Sequence, residues 1–136
     1  MLTIRKTDLD RIYHHCDREF PNEACGVLAG NEGKVEKVYS LKSETPSPQF
    51  YQIDSKEHFR VLREMREQGL ELVGIYHSHP EVPAYPSGQD VELAYYTDAV
   101  YVIVSLQDRK NPVVRGFRIV TGSITEVPLD ITSEAR

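Results

Sequence analysis

A run of apolar residues over 99–106, Ala-Val-Tyr-Val-Ile-Val-Ser-Leu, restricts the fold of this chain more than any other feature. The run is short and rich in β-branched side chains, so it predicts a strand. Two further apolar runs, Ala24–Gly30 and Leu72–Tyr76, predict strands of the same buried kind. Buried strands need other layers to cover the sheet, so we expect helices to pack on it.

Segments with helical features lie between these strands. They predict three helices, from about Asp8 to Arg18, from Asp54 or Ser55 to about Gln68, and from Ser87 to about Tyr96. The other predicted strands are 34–41, a brief one at 50–53, and a hairpin of 113–120 with 123–127. This order predicts an α/β fold with a mixed, largely antiparallel, curved sheet and helices packed on it. We expect one domain over residues 1–136.

Composition and charge exclude several classes of function. The net charge of the 136 residues is −5 and no long Lys/Arg run occurs, which argues against nucleic-acid binding. No apolar stretch of about 18 residues is present, so we expect no membrane span. The first residues lack a signal-peptide core, and two cysteines are too few for a disulfide framework. A cytoplasmic location follows as the expectation.

Two histidines at the end of a predicted strand are the first candidates for chemistry. His77 and His79 are two residues apart, so in an extended chain their imidazoles point to the same side. Asp90 comes eleven residues after His79, on the first turn of a predicted helix that can fold back over the strand end. Two imidazoles and one carboxylate make a three-ligand zinc set with an open position for water.

Two more residues are candidates for proton transfer and charge stabilisation. Glu23 begins the first buried strand, where a carboxylate could take a proton from water and return it to a leaving amine. Ser87 could donate a hydrogen bond to the oxyanion of a tetrahedral intermediate.

Each candidate also has a structural interpretation. A His-x-His pair alone is a weak metal signal, and Glu23 alone is typical of a solvated residue before a strand. Ser87 and Asp90 have the spacing of a capping box. Cys25 is typical of a buried small hydrophobe. The remaining histidines lie on predicted helices as surface or packing residues: His14, His15 and His58.

Taken together, the residues resemble the signature of the JAMM, or MPN+, metalloprotease family. In that signature an upstream Glu precedes His-Ser/Thr-His-Pro, and Ser and Asp follow at fixed spacing. Here seven residues separate His79 from Ser87 and two separate Ser87 from Asp90, which matches both gaps. Glu23 stands in Glu-Ala-Cys-Gly-Val-Leu-Ala-Gly, which is similar to the family's Glu-x-Cys-Gly-x-Leu strand.

The resemblance extends from about Leu2 to Val127 and implies an MPN, cytidine-deaminase-like fold. It implies one zinc ion per chain and assigns a role to each candidate: zinc ligands His77, His79 and Asp90, general base Glu23, and transition-state donor Ser87.

The family cleaves amide or isopeptide bonds at the C-terminal tail of ubiquitin-like proteins. This chain has no room for the large insertions of eukaryotic members, so it resembles the compact bacterial and archaeal branch. That branch is linked to small sulfur carrier proteins that end in Gly-Gly, and its members can release cysteine from a carrier's C-terminus. The implied partner is such a carrier. The oligomeric state stays open, with a homodimer among the alternatives.

Two other functions remain as alternatives. A non-catalytic interaction module on the same fold would bind metal without turning over a carrier adduct. A cysteine hydrolase that uses Cys25 would survive a chelator and be inactivated by a thiol alkylator, whereas the zinc hydrolase predicts the reverse.

Overall fold

The computed structural model describes residues 1–43, 46–49 and 51–133. This part of the chain forms eight strands and three helices. In order they are β1 (Leu2–Arg5), α1 (Lys6–Glu19), β2 (Cys25–Asn31), β3 (Lys34–Leu41), α2 (Ser55–Glu67), β4 (Glu71–His79), α3 (Gly88–Glu92), β5 (Val100–Ser105), β6 (Val113–Val120), β7 (Ser123–Val127) and β8 (Leu129–Thr132).

All eight strands belong to one mixed sheet, in the order β7-β6-β5-β4-β2-β3-β1-β8. Four neighbouring pairs are antiparallel. Three are parallel, namely β1 with β3, β1 with β8, and β4 with β5. The predicted mixed, largely antiparallel sheet is therefore confirmed.

The sheet is curved, as predicted. The curvature is shown by its two edge strands, which follow one another in the chain. β7 ends at Val127 and β8 begins at Leu129, although the two strands lie at opposite ends of the sheet order. The two ends of the sheet meet closely: a Cβ on Gly116 of β6 would lie 2.7 Å from Cδ2 of Leu129. Curling therefore brings β8 against the face of β6.

Each face of the sheet has its own helix, which explains why the central strands bury apolar residues on both faces. On one face, Leu9, Ile12 and Cys16 of α1 pack in a cluster that includes Leu28 and Tyr76 of the sheet. On the other face, α2 packs against side chains of β2 and β3; this cluster comprises Val61, Met65, Cys25, Val27, Ala29, Tyr39 and Leu41. Alternate residues of β2 thus enter different cores.

Several predicted boundaries need correction. α1 begins at Lys6 after Arg5, rather than at about Asp8, and Arg5 donates to the Asp8 carboxylate at 2.8 Å. Asp54 does cap α2, where it accepts from the amides of Lys56 and Glu57. Of the predicted strand at 50–53, position 50 lies outside the described residues, and Ile53 forms an isolated bridge with Ser43.

The third helix is shorter than predicted. α3 ends at Glu92, with Leu93 as its C-cap, instead of continuing to Tyr96. The amide of Tyr96 donates to the hydroxyl of Tyr101 at 3.1 Å, so this part of the chain bonds to β5 and not to a continued helix. No helix within the described part of the chain is long and apolar enough to cross a membrane.

Candidate metal centre

β4 carries two histidines at its C-terminal end, on the sheet face that α2 covers. His77 and His79 are 1% and 2% exposed, and their Nε2 atoms lie 3.1 Å apart. The strand is extended here, so both rings point to the same side, as the i, i+2 spacing predicts. Two imidazoles this deeply buried need a polar partner or a cation.

Asp90 reaches the histidines from the first turn of α3. Its Oδ2 atom lies 3.2 Å from Nε2 of His77 and 3.0 Å from Nε2 of His79. The predicted capping box sets this position: the Ser87 hydroxyl accepts from the Asp90 amide, and Asp90 Oδ2 accepts from the Ser87 amide at 2.9 Å. The structure therefore brings His77, His79 and Asp90 together.

The three donor atoms fit a tetrahedral zinc ion. Ligands about 2.0–2.1 Å from zinc lie roughly 3.3 Å from one another, and the observed separations are close to that value. Nδ1 of His79 donates to the carbonyl of Pro83 at 2.9 Å, which leaves the Nε2 lone pair directed at the site. Lone pairs and a carboxylate that converge in this way suit a cation.

The charges of the cluster support the same conclusion. Burial would raise the pKa of Asp90, but the hydrogen bonds to His77 and His79 outweigh burial and hold that pKa far below its usual range. Burial would lower the pKa of His79, but its bonds to Asp90 and the Pro83 carbonyl raise it overall. The Asp90 carboxylate therefore favours positive charge beside it, whether a proton on His79 or a cation.

His77 is held by an aromatic contact. Its Nδ1 atom is buried with no hydrogen-bond partner within the described residues. The ring of Tyr51 stacks on it, with the centroids 4.8 Å apart and the planes 30° from parallel. Tyr51 was not among the sequence-based candidates, because this contact depends on how the segment before α2 packs on β4.

Glu23 lies beside this cluster because of the register of β2 and β4. Cys25 pairs with His77 at the start of the antiparallel ladder, and Glu23, two residues before Cys25, is close enough to His79 and Asp90 for their charges to act on its carboxyl group. Glu23 is 5% exposed, which contradicts the solvated alternative. Burial is the main reason that the pKa of Glu23 is raised to about 8; His79 opposes the rise and Asp90 adds to it. Within the described residues its Oε1 atom is buried without a partner.

The serine and cysteine candidates have clear surroundings. Ser87 is exposed and caps α3, so its predicted structural role is observed. Cys25 is fully buried in the core under α2, and burial raises the pKa of its thiol to about 12. A thiol in that environment stays protonated, which argues against a cysteine nucleophile.

A cavity of about 480 Å³ lies next to the cluster, and its lining includes Tyr51, which stacks on His77. Ile75 and Tyr101, which are partners in β4 and β5, form part of its lining. The other lining residues come from the segment before α2, from α2, and from α3 and the residues after it: Tyr51, Gln52, Ile53, His58, Gln89, Leu93, Tyr95 and Tyr96. His58 Nε2 lies 3.1 Å from the Tyr96 hydroxyl, so a predicted packing histidine joins two walls of this cavity.

Comparison with known proteins agrees with this geometry. A family model described as prokaryotic homologs of the JAB domain matches residues 6–120. The CysO-cysteine peptidase of Mycobacterium tuberculosis (strain ATCC 25618 / H37Rv) is 41% identical over 136 residues, which cover 98% of this chain and 93% of that protein.

Solved structures show the same fold. The solution structure of a protein from Desulfitobacterium hafniense matches with a TM-score of 0.90 at 34% identity, covering 98% of this chain and 94% of that one. The crystal structure of a JAB1/MPN domain protein from Archaeoglobus fulgidus matches with a TM-score of 0.65 at 20% identity, covering 96% and 99%. With its family model, its close relative and these folds in agreement, this chain belongs to the compact prokaryotic branch of the JAMM (MPN+) metalloprotease family.

Proposed function

We propose that this chain, as one JAMM domain over residues 1–136, is a zinc hydrolase that cleaves the amide bond after the C-terminal Gly-Gly of a sulfur carrier or ubiquitin-like protein. The observation that carries the proposal is the convergence of two imidazole nitrogens and one carboxylate oxygen within 3.2 Å of one another, beside a buried glutamate. The name of the relative, a CysO-cysteine peptidase, supports a carrier joined to cysteine as the substrate.

His77, His79 and Asp90 would hold one zinc ion per chain. Bound there, zinc would supply Lewis-acid chemistry toward a carbonyl group and a water molecule. The protein's own contribution is to fix the three donors before the substrate arrives. The carbonyl of Pro83 orients His79, the Tyr51 ring braces His77, and the amide of Ser87 holds Asp90.

Glu23 is the proposed general base. Its raised pKa reflects burial first and the nearby Asp90 carboxylate second, and a cation held by Asp90 and His79 would lower that pKa because positive charge favours the ionised form. The ionised carboxylate then takes a proton from the attacking water and returns it to the leaving amine. Its buried Oε1 atom, unpartnered within the described residues, is the atom suited to this role.

The positions of Glu23 and the cavity give the substrate a direction. The charged groups that act on Glu23 are His79 and Asp90, so we infer that the amine that receives its proton leaves on that side. The cavity lies on the other side, next to His77, and extends along Ile75 and Tyr101. We therefore infer that the carrier tail occupies the cavity. Two glycines reach the donors because they have no side chains that would block close approach.

Hydrolysis of a defined adduct tests this proposal. The substrate is a carrier ending in Gly-Gly, joined through its carboxyl group to cysteine, and mass spectrometry follows the release of free carrier. We expect turnover by the zinc-loaded protein, loss with a chelator, and no effect of a thiol alkylator. Glu23→Gln should retain zinc and lose on the order of 10²-fold or more in rate.

The matched control is the double variant His77→Ala/His79→Ala, which should lose both metal and activity while its circular dichroism stays unchanged. Full zinc occupancy in that variant would contradict the ligand assignment. Zinc binding without turnover of any Gly-Gly adduct would favour the interaction module instead.

A further inference from the structure

Ser78 lies between the two proposed ligands in sequence but faces the other side of the sheet. It is fully buried. Its neighbours His77 and His79 point toward Asp90, whereas Ser78 points toward α1, where its side chain hydrogen-bonds to Cys16. Ser78 therefore touches none of the three donor atoms, and the reaction described above does not use it.

The hydroxyl of Ser78 replaces a backbone group at the start of β2. The amide of Ser78 donates to the carbonyl of Ala24 at 3.1 Å, as in a regular antiparallel pair. In such a pair the return bond runs from amide to carbonyl. Here the Ala24 amide donates to the Ser78 hydroxyl at 2.8 Å. The Ser78 hydroxyl thus takes the place of a backbone carbonyl as the acceptor for Ala24, the residue that follows Glu23.

Glu23 itself continues this departure from the ladder. Its amide donates to the carbonyl of Ser47 at 2.7 Å, outside the sheet. The two successive amides of Glu23 and Ala24 are therefore held by Ser47 and Ser78. The Oε1 atom of Glu23 is buried without a partner within the described residues, and these two bonds fix the backbone from which its side chain extends.

We propose that Ser78 is a positioning residue, which holds the carboxyl group of Glu23 at the metal centre through the Ala24 amide. The inference rests on the proposed role of Glu23 as general base. A serine suits this position because its oxygen accepts the Ala24 amide while its proton stays free for the Cys16 sulfur. Alanine offers no acceptor, and cysteine offers a weak one of similar shape.

A double-mutant cycle with Glu23 tests the proposal, using the Gly-Gly carrier joined to cysteine as the substrate. Ser78→Ala should lower kcat by about 10- to 100-fold with little change in KM, because it removes a contact that supports a catalytic group and does not touch the substrate. In the Glu23→Gln background, the same change should lower kcat by less than roughly threefold, because Ser78 then has no base to position. Ser78→Thr keeps the hydroxyl and should restore most of the rate.

Zinc binding provides a readout that does not depend on turnover. Ser78→Ala leaves His77, His79 and Asp90 in place, so a chelator-competition titration should give a zinc Kd within about threefold of the original. Rates are taken per folded molecule. If the alanine variant does not fold, Ser78→Cys keeps the side-chain shape and should lose rate to an intermediate degree.

Three outcomes would overturn the proposal. A Ser78→Ala or Ser78→Cys protein with a normal kcat would show that the hydroxyl has no part in positioning. An equal loss of kcat in the original protein and in the Glu23→Gln background would show that Ser78 does not act through Glu23. A large loss of zinc affinity would show that it acts on the ligands. An active Glu23→Gln protein would instead refute the base itself, so the two failures are distinguishable.

Discussion

Asp90 joins the start of a helix to the metal centre through one atom. Its Oδ2 accepts from the Ser87 amide and faces the Nε2 atoms of both His77 and His79. The capping interpretation and the metal interpretation, which compete when the sequence is considered alone, are therefore compatible in the structure. The same helix start that the cap stabilises carries the carboxylate to the histidines.

Ser87 also has two candidate roles, as helix cap and as oxyanion donor, and a substitution can separate them. Its hydroxyl oxygen accepts from the Asp90 amide at 3.1 Å, which leaves the proton available for an oxyanion. Ser87→Ala should lower the free energy of unfolding by about 1 kcal/mol. If the hydroxyl also stabilises the oxyanion, kcat falls roughly 10²-fold with KM little changed.

Ser87→Thr is the control, because threonine keeps both the cap and the donor. Steady-state kinetics on folded protein decide the matter: a normal kcat for Ser87→Ala would leave the cap as the sole role of this residue.

His15 gives a pH dependence that is independent of the metal centre. It is buried, and its Nδ1 atom lies 2.7 Å from the hydroxyl of Tyr76. Burial lowers the pKa of His15 below its ordinary 6.5, with Arg18 and His14 acting in the same direction and Glu19 opposing. The folded state therefore binds fewer protons than the unfolded state, and His15 contributes stability above pH 6.5 that is lost as the pH falls.

We expect His15→Gln to lose less stability than the original protein, or to gain more, between pH 7.5 and pH 5.5, measured as the change in urea midpoint across that range. His14→Gln is the matched control, since His14 is exposed on the same helix. The expectation would be wrong if both variants kept the full pH dependence of the original protein.

At the scale of elements, α3 is the segment that depends most on the metal. None of its five residues is buried, and it is attached through the contacts of Asp90 with the histidines and the packing of Val91, whereas β4 lies between β2 and β5. Removing zinc with a chelator should lower the melting temperature by at least about 5 °C, because a ligand that binds only the folded state stabilises it. Amide hydrogen exchange should rise more in α3 than in β4.

The His77→Ala/His79→Ala protein supplies the control, since a chelator should leave its melting temperature unchanged. Exchange that rises equally in α3 and β4 would show that the metal stabilises the whole sheet instead of the helix.

How far the sequence predicts the elements depends on their burial. β2, β4 and β5 were predicted because burial on both faces requires long apolar runs. β1 and β8 were missed, because each has four residues and gains its place by parallel pairing with a segment far away in the chain. α3 was predicted too long. The amide of Tyr96, which a longer helix would have used, donates to the Tyr101 hydroxyl instead.

The same distinction applies to the site. The proximity of His77, His79 and Asp90 followed from spacing, and the family resemblance placed Glu23 with them. Tyr51 and Ser78 carry no such signal. The stacking of Tyr51 on His77 and the bond from Ala24 to Ser78 arise from packing and strand register, which a single sequence does not specify. The ligand and base roles, like the cytoplasmic location, stay predictions.

At the scale of the whole molecule, the curvature of the sheet can be tested at Gly116. A Cβ there would lie 2.7 Å from Leu129 Cδ2, 3.1 Å from Val100 Cγ1 and 3.2 Å from the carbonyl of Val127. Gly116→Ala should therefore cost about 1–3 kcal/mol of unfolding free energy, the usual range for overpacking a core. Denaturant unfolding measures this loss.

Gly88→Ala is the matched control, because nothing lies within 4 Å of the added Cβ and alanine favours a helix. Equal stability of the Gly116 and Gly88 variants would mean that the two ends of the sheet do not close on each other in solution.

The position of β1 has a consequence for synthesis on the ribosome. β1 leaves the exit tunnel first, yet its outer neighbour is β8, and Leu2 pairs with Leu129. Until Thr132 has emerged, the nascent chain carries β1 with one row of backbone amides and carbonyls unpaired. Such an edge can pair with other chains, so the interval between the first and last strands is when a growing polypeptide of this topology most needs protection by a chaperone.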